Sequence, residues 1–180
     1  SHIPEHAKRL METFWPGPLT VILPKSNLVP DQVSAGLPTV AVRFPSHPTA
    51  RAVIQKAGVP LAAPSANVSG SHSPTAAGHV LHDLDGKIDA VIDGGPCTVG
   101  LESTVITLAE ETTVLLRPGA VTLEQLQQVL GTVKMADAVL HQLEQGSVAA
   151  SPGMKYKHYA PKAKLILLEG SDEAFFHYVN

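Results

Sequence analysis

The stretch VPLAAPSANVSG, residues 59–70, joins a short apolar run to a loop of small residues, hydroxyls and an amide. The run Val59–Ala62 predicts a short strand. Small side chains in the loop Ala63–Gly70 let a ligand approach the backbone N–H groups, as at sites that bind phosphate or carboxylate oxygens. The same residue types dominate ordinary turns. This stretch alone leaves both interpretations open.

A second stretch of similar character, DGGPCTVGLEST (residues 93–104), also joins two apolar runs. Those runs, Ile88–Ile92 and Thr104–Leu108, predict strands on either side of the loop. Two loops of this composition, each joining apolar runs, favour ligand binding over a chance cluster of turn residues.

Outside these loops, predicted helices and strands alternate. The spacing of Ala7, Leu10, Met11 and Phe14 is typical of a helix, and Thr122 with Gln125 forms a capping-box pattern. Helices are predicted over Pro4–Phe14, His47–Ala57, Pro74–His82, 123–130 and Ala138–Gln145, and strands also over Leu19–Leu23, Thr39–Phe44 and Val114–Arg117. Because the order has no strict strand–helix–strand rhythm, we expect an α/β fold with a mixed sheet and helices packed against it.

Composition narrows the class of protein. The 180 residues carry a net charge of −3, which disfavours nucleic-acid binding through phosphate contacts alone. The single cysteine, Cys97, excludes an internal disulfide and fits a reducing compartment. Apolar runs fall well short of the roughly 20 residues that cross a bilayer, so we expect a cytoplasmic location.

Several blocks together resemble one family. PSANVSGSHSPT (Pro64 to Thr75) and GGPCTVGLESTV (Gly94 to Val105) are similar to motifs of the YrdC-type threonylcarbamoyl-AMP synthases. Several blocks in one order are more specific than any single motif. The other blocks, in the family's order, are FWPGPLTVILP (Phe14 to Pro24), VAVRFPSHP (Val40 to Pro48), LLRPGAV (Leu115 to Val121) and SPGMKYKHYAPKAKL (Ser151 to Leu165), the last resembling the linker of the longer, two-domain branch.

The resemblance implies a fold and a reaction. The implied fold is a twisted mixed sheet with flanking helices around a concave cavity, followed by a linker and the start of a second α/β domain. The implied reaction condenses L-threonine, bicarbonate and ATP, with Mg²⁺ on the phosphates, into threonylcarbamoyl-adenylate and pyrophosphate for threonylcarbamoyl-adenosine modification of tRNA. The implied partner is a downstream tRNA-modifying transferase that receives the adenylate, and contact with tRNA itself is expected to be weak or indirect.

Arg43 is the first candidate site residue. In a strand, Val40, Val42 and Phe44 would share the core face, so that Arg43 points the other way, into a cleft or solvent. A surface salt bridge is one interpretation. The resemblance implies instead that Arg43 holds the carboxylate of L-threonine, for which a planar guanidinium fork is well suited.

The resemblance assigns the other candidate residues. Contacts with L-threonine are implied for Arg43, Ala63 and Ser103, and contacts with ATP for Thr39, Ser65, Ser73, Arg117 and Tyr156. Ser73 also precedes Pro74, which predicts that Ser73 caps a helix. Asn67 is expected to hold the turn of its own loop through its side-chain amide.

The predicted organisation has three parts. Residues 1–145 form a YrdC-like catalytic domain without its N-terminal portion, residues 146–162 a linker that closes over the site as a lid, and residues 163–180 the beginning of a second domain. The family's Pro-Thr-Glu-type strand and Lys-x-Arg-Pro-type element have no match in the sequence. We therefore expect the chain to be a piece of a longer protein, inactive without those elements.

Other chemistries find little support. Among the nine histidines, His79 and His82 lie three residues apart on one predicted helix but lack a third ligand nearby in sequence, so we predict no metal site built from protein ligands alone. Neither a Gly-x-Ser-x-Gly elbow nor a Walker A loop occurs. The alternatives that remain are a non-catalytic RNA-binding module, which the acidic balance disfavours, and a structural domain without a ligand.

Overall fold

A computed structural model describes residues 3–109, 112–140 and 169–179. Its strands form one five-stranded sheet in the order β2-β1-β3-β4-β5. The strands are β1 Leu19–Pro24, β2 Thr39–Val42, β3 Thr104–Thr107, β4 Val114–Arg117 and β5 Lys134–Met135. β1–β3 and β4–β5 pair in parallel, whereas β1–β2 and β3–β4 pair antiparallel. The predicted α/β class with a mixed sheet is confirmed.

The described ranges also contain helices. They are α1 Glu5–Phe14, α2 Asp31–Ser34, α3 Pro48–Ala57, α4 Ala77–Leu84, α5 Leu123–Leu130, α6 Asp137–Leu140 and α7 Asp172–Val179. α3 ends at Gly58, whose φ of 67° is the left-handed conformation that glycine adopts at least cost. α5 begins with the predicted capping box, in which the Gln125 N–H donates to Thr122 Oγ1 and the Thr122 N–H donates to Gln125 Oε1. None of the helices in the described ranges is long and apolar enough to cross a membrane.

The main hydrophobic core lies between one face of the sheet and the pair α1 and α5. Leu10 of α1 and Leu126 of α5 are fully buried there against Leu19, Ile106 and Leu115 of the strands. Burial of one leucine side chain contributes about 1.5–3 kcal/mol. The opposite sheet face carries a smaller cluster of Ile22, Val105 and Leu116, and it is from this face and its edges that the candidate site is built.

The region between β2 and β3 differs from the sequence-based prediction. Residues 59–62 and 88–92 are not strands, and Val59, Leu61 and Ile92 are exposed. A strand requires a ladder partner as well as an apolar run, and the described residues place none beside these two runs. Likewise α3 and α4 bury none of their residues.

Other elements also differ from the sequence-based prediction. β2 ends at Val42, and the supposed core residues Val42 and Phe44 are each 40% exposed, because β2 is an edge strand and this side of it is left uncovered by the described residues. The short elements α2 and β5 were not predicted. Of the predicted helix Ala138–Gln145, only residues to 140 are described, as the end of α6.

Part of the prediction falls outside the described residues. The whole linker 146–162, including Tyr156, is outside the described residues. Of the expected strand Lys164–Glu169, only Glu169 is described. The predicted helix that follows is described as α7, Asp172–Val179.

Candidate functional site

The first loop is held by its own side chains. The amide of Asn67 donates to the carbonyls of Val68 and Ser71, both at 3.0 Å, which confirms the predicted turn-holding role. The N–H of Val68 donates to Asp83 Oδ2 at 3.1 Å and so attaches the loop to α4. The exposed backbone of this loop is therefore fixed before any ligand arrives.

Ser73 joins the first loop to the second. Its hydroxyl donates to Glu102 Oε1 at 2.6 Å, a short distance typical of a hydrogen bond to a carboxylate. The prediction that Ser73 caps a helix was wrong, since α4 begins at Ala77 with Ala76 at its N-cap and without a side-chain cap. In a cap the serine oxygen would accept from a backbone N–H, whereas here the Ser73 hydroxyl donates to a carboxylate 29 residues along the chain.

Ser103 and Arg117 form a second junction. Arg117 donates to the Ser103 carbonyl from Nε at 3.1 Å and from Nη2 at 2.9 Å, and Nη2 also donates to Ser103 Oγ at 3.2 Å. Ser103 Oγ shares a further hydrogen bond of 2.7 Å with Thr20 Oγ1 of β1. Ser103 is buried, and the guanidinium is held in one orientation by two of its N–H groups.

The backbone beneath Ser103 is tightly packed. The fully buried Thr104 donates from Oγ1 to the Val121 carbonyl at 2.7 Å and accepts from the Val121 N–H at 3.1 Å. Gly119 lies so close that a Cβ there would stand 2.5 Å from both Glu102 O and Thr104 N. The turn after β4 therefore supports the segment 102–104 directly.

Charges of both signs meet at this segment. Burial lowers the pKa of Arg117 below its ordinary value, the nearby Glu102 carboxylate raises it, and the Arg43 guanidinium lowers it further. Arg117 remains protonated at neutral pH because its ordinary pKa is far above 7. Arg117 is therefore within electrostatic reach of one carboxylate and of a second guanidinium, and this excess of positive charge is suited to an anionic ligand.

The predicted site residues are only partly brought together. Contacts or charge interactions connect Ser73 and Ser103 with Arg117 and Arg43 through the segment 102–103. Within the described ranges those contacts do not extend to the partly buried Thr39 or to the exposed Ala63 and Ser65. Arg43 itself is exposed just past the end of β2, in agreement with its predicted direction into a cleft or solvent.

The second loop carries contacts of its own. His47 Nε2 lies 3.2 Å from the Gly94 carbonyl, and the Gly95 N–H donates to Asp93 Oδ1 at 2.8 Å. The Cys97 N–H donates to the Thr75 carbonyl at 2.8 Å, a further link between the two loops. Across the described ranges, no three His, Cys, Asp or Glu side chains are grouped to hold a metal ion.

Sequence reasoning missed two residues of this arrangement. Glu102 is the single charged residue in GGPCTVGLESTV, and a lone carboxylate in a loop expected to bind anions was a signal that could have been used. Thr20 offered no local signal, because its partner Ser103 lies 83 residues away.

Comparison with known proteins decides the family. A family model of Sua5, YciO and YrdC proteins, described as "Telomere recombination", matches residues 1–119. The chain belongs to the Sua5/YciO/YrdC family. A second model, described as "Threonylcarbamoyl-AMP synthase, C-terminal domain", matches residues 121–177.

Relatives of this Sua5/YciO/YrdC chain are named threonylcarbamoyl-AMP synthase. The Bacillus subtilis protein is 52% identical over 177 residues, which are 98% of this chain and 50% of the relative. The Pyrococcus abyssi protein is 51% identical over 168 residues, 93% of this chain and 49% of the relative. The chain thus spans about half the length of the curated relatives it matches.

Solved structures agree with this placement. The crystal structure of P. abyssi Sua5 complexed with L-threonine matches 99% of this chain and 52% of that chain, with 48% identity and a TM-score of 0.91. The crystal structure of Escherichia coli YciO matches 67% of this chain and 59% of the YciO chain, with 30% identity and a TM-score of 0.60.

Proposed function

We propose that this chain contributes to a threonylcarbamoyl-AMP synthase, which condenses L-threonine, bicarbonate and ATP into threonylcarbamoyl-adenylate and pyrophosphate. The observation that carries the proposal is the pair of guanidinium groups, Arg43 and Arg117, at the junction of two small-residue loops, with Arg117 anchored on Ser103. Relatives that bear the name of this synthase, and a related structure complexed with L-threonine, support it.

L-Threonine would bind at the Arg43 end of the site. The Arg43 guanidinium would take the substrate carboxylate through two parallel hydrogen bonds, a geometry that lysine does not offer. Ser103, whose hydroxyl is oriented by Thr20 and Arg117, and Ala63, through its backbone, would contact the rest of the amino acid.

ATP would bind along Ser73 and Arg117. The anchored Arg117 cation would face the phosphates, while Ser73, Ser65 and Thr39 would add hydroxyl contacts. Tyr156, in the proposed lid 146–162, would contact the nucleotide from the other side. Mg²⁺ would enter with ATP as part of the substrate, because the described residues offer no cluster of ligands that would bind it alone.

The chemistry is adenylyl transfer. The threonine amine and bicarbonate combine to a carbamate with loss of water, and a carbamate oxygen then attacks the α-phosphorus of ATP. The new P–O bond forms as the bond to the β-phosphate oxygen breaks, and that electron pair leaves with pyrophosphate. The protein's residues contribute by positioning the reactants and offsetting negative charge. A downstream transferase would use the adenylate to modify tRNA.

Arg43→Ala tests the proposal. Loss of a charge-assisted pair to the carboxylate should weaken threonine binding by about 2 kcal/mol, roughly 30-fold, with little change in ATP affinity, measured by calorimetry. Arg9→Ala is the matched control, since it removes the same charge from α1, where Arg9 contacts the Val129 carbonyl. Equal loss of both affinities, or of neither, contradicts the carboxylate role.

A second measurement separates the proposed enzyme from a binding module. Threonine-dependent release of pyrophosphate from ATP is expected of the protein with all the family's elements. Steeply salt-dependent tRNA binding without ATP consumption would instead indicate an RNA-binding module.

A further inference from the structure

We propose that Glu102 is a positioning residue that fixes the Ser73 hydroxyl and the Arg117 guanidinium at the separation that the nucleotide requires. This inference rests on the proposed function, and it adds a residue to which the family resemblance assigned no role. Glu102 would act through these two neighbours and not by touching a substrate.

The first argument is contact geometry. Glu102 is partly buried, and its Oε1 accepts the Ser73 hydroxyl at 2.6 Å across the gap between the two loops. The next residue along the chain, Ser103, receives Arg117 on its carbonyl at 2.9 and 3.1 Å. One segment, 102–103, therefore determines the distance between a hydroxyl and a guanidinium that originate on different elements.

The second argument is charge. A carboxylate near a polyanionic nucleotide repels it, so Glu102 lowers affinity unless it contributes in another way. The negative charge of Glu102 stabilises the protonated form of Arg117. Partial desolvation and the Arg43 cation both act against that form. Without this carboxylate, the repulsion between the Arg43 and Arg117 cations would no longer be offset, and the partly desolvated Arg117 would be held less firmly in its place.

The third argument is the rigidity of the platform. Gly119 packs against Glu102 O so closely that a Cβ has no room, and Thr104 is hydrogen-bonded twice to Val121. The backbone of Glu102 is therefore held from below, and its side chain can transmit that position to Ser73 across the loops.

The experiment compares Glu102→Gln and Glu102→Ala in the full-length protein, with Glu12→Gln, on the exposed side of α1, as the matched control. Glu102→Gln keeps an acceptor for Ser73 and removes the charge, whereas Glu102→Ala removes both. We expect Glu102→Ala to lower kcat/KM for ATP by roughly 10- to 100-fold, the scale of a lost hydrogen bond to a charged group. Glu102→Gln should fall between Glu102→Ala and the unchanged protein.

A double-mutant cycle tests the route of action. Ser73→Ala alone is expected to lower kcat/KM several-fold relative to the unaltered protein. If Glu102 acts through Ser73, the double variant should have a kcat/KM less than about twofold below that of Glu102→Ala. Fully additive losses would overturn the positioning role. A Glu102→Ala variant that matches the Glu12→Gln control in kcat/KM would overturn it as well.

A readout without substrates separates this inference from the proposed function. The Nε–H of Arg117, bonded to the Ser103 carbonyl, should exchange with solvent roughly tenfold faster in Glu102→Gln, measured by ¹⁵N NMR on the folded variant. Unchanged exchange overturns the inference even in an active enzyme. If the unaltered protein releases no pyrophosphate, the proposed function fails, and the exchange rate alone decides whether Glu102 holds Arg117.

Discussion

The hydroxyl of Thr104 provides the sharpest test of the packing beneath the site. Thr104 is fully buried, and its Oγ1 makes hydrogen bonds of 2.7 and 3.1 Å with the carbonyl and N–H of Val121. Thr104→Val keeps the shape and removes both bonds, so that two buried backbone groups lose this partner. Each loss costs about 1–2 kcal/mol, and the added methyl group returns roughly 0.8 kcal/mol. We expect a net loss of about 1–3 kcal/mol in the free energy of unfolding.

Thr104→Ser is the matched variant. It keeps both hydrogen bonds and removes one buried methyl group, for a cost of about 1 kcal/mol. The predicted order of stability is therefore threonine, then serine, then valine, whereas apolar packing alone would give valine, then threonine, then serine.

The assay is urea unfolding followed by the fluorescence of Trp15, the single tryptophan. Its indole N–H donates to the Leu19 carbonyl at 2.7 Å, and Leu19 pairs with Thr104 across β1 and β3. With the denaturant slope unchanged, the shift in midpoint reports the change in stability. A Thr104→Val protein as stable as the unaltered protein would refute the reasoning, because the hydrogen bonds to Val121 would then contribute no more than the added methyl group, roughly 0.8 kcal/mol.

Two further predictions concern the site and its proposed lid. Gly119→Ala should destabilise the protein by about 1–3 kcal/mol and lower ATP affinity, because the new Cβ would displace the backbone at Glu102 and Thr104. Thermal unfolding measures the stability, and calorimetry measures the ATP affinity. An unchanged ATP affinity would contradict the coupling of this turn to the site. ATP with threonine should protect the segment 146–162 from proteolysis. Tyr156→Ala should weaken that protection or raise the share of adenylate lost to hydrolysis. Equal rates of cleavage with and without both ligands would show that the segment is a tether and not a lid.

Features that depend on near neighbours in the chain were predictable from the sequence. The helical spacing of Ala7 and Leu10 placed both in the core, and Thr122 with Gln125 predicted the start of α5. The strands β3 and β4 were also predicted, and they pair antiparallel as two runs close together in sequence. The quoted blocks identified the family for a related reason, since each is a contiguous run of residues.

Features that depend on distant residues were decided only by the tertiary structure. The runs 59–62 and 88–92 had the composition of strands and lack a ladder in the described residues, since composition records a preference and a ladder requires a neighbour. Ser73 had the local pattern of a helix cap and instead bonds to Glu102.

The site shows the same division. The sequence by itself determined which residue types stand in the two loops, and through the resemblance it nominated Arg43, Ser103 and Arg117. The tertiary structure decided that Arg117 is anchored on Ser103 and that Glu102 bridges the loops. The physical reason is that hydrogen bonds and charges act over a few ångströms in space, and chain distance does not report which groups will meet at that range.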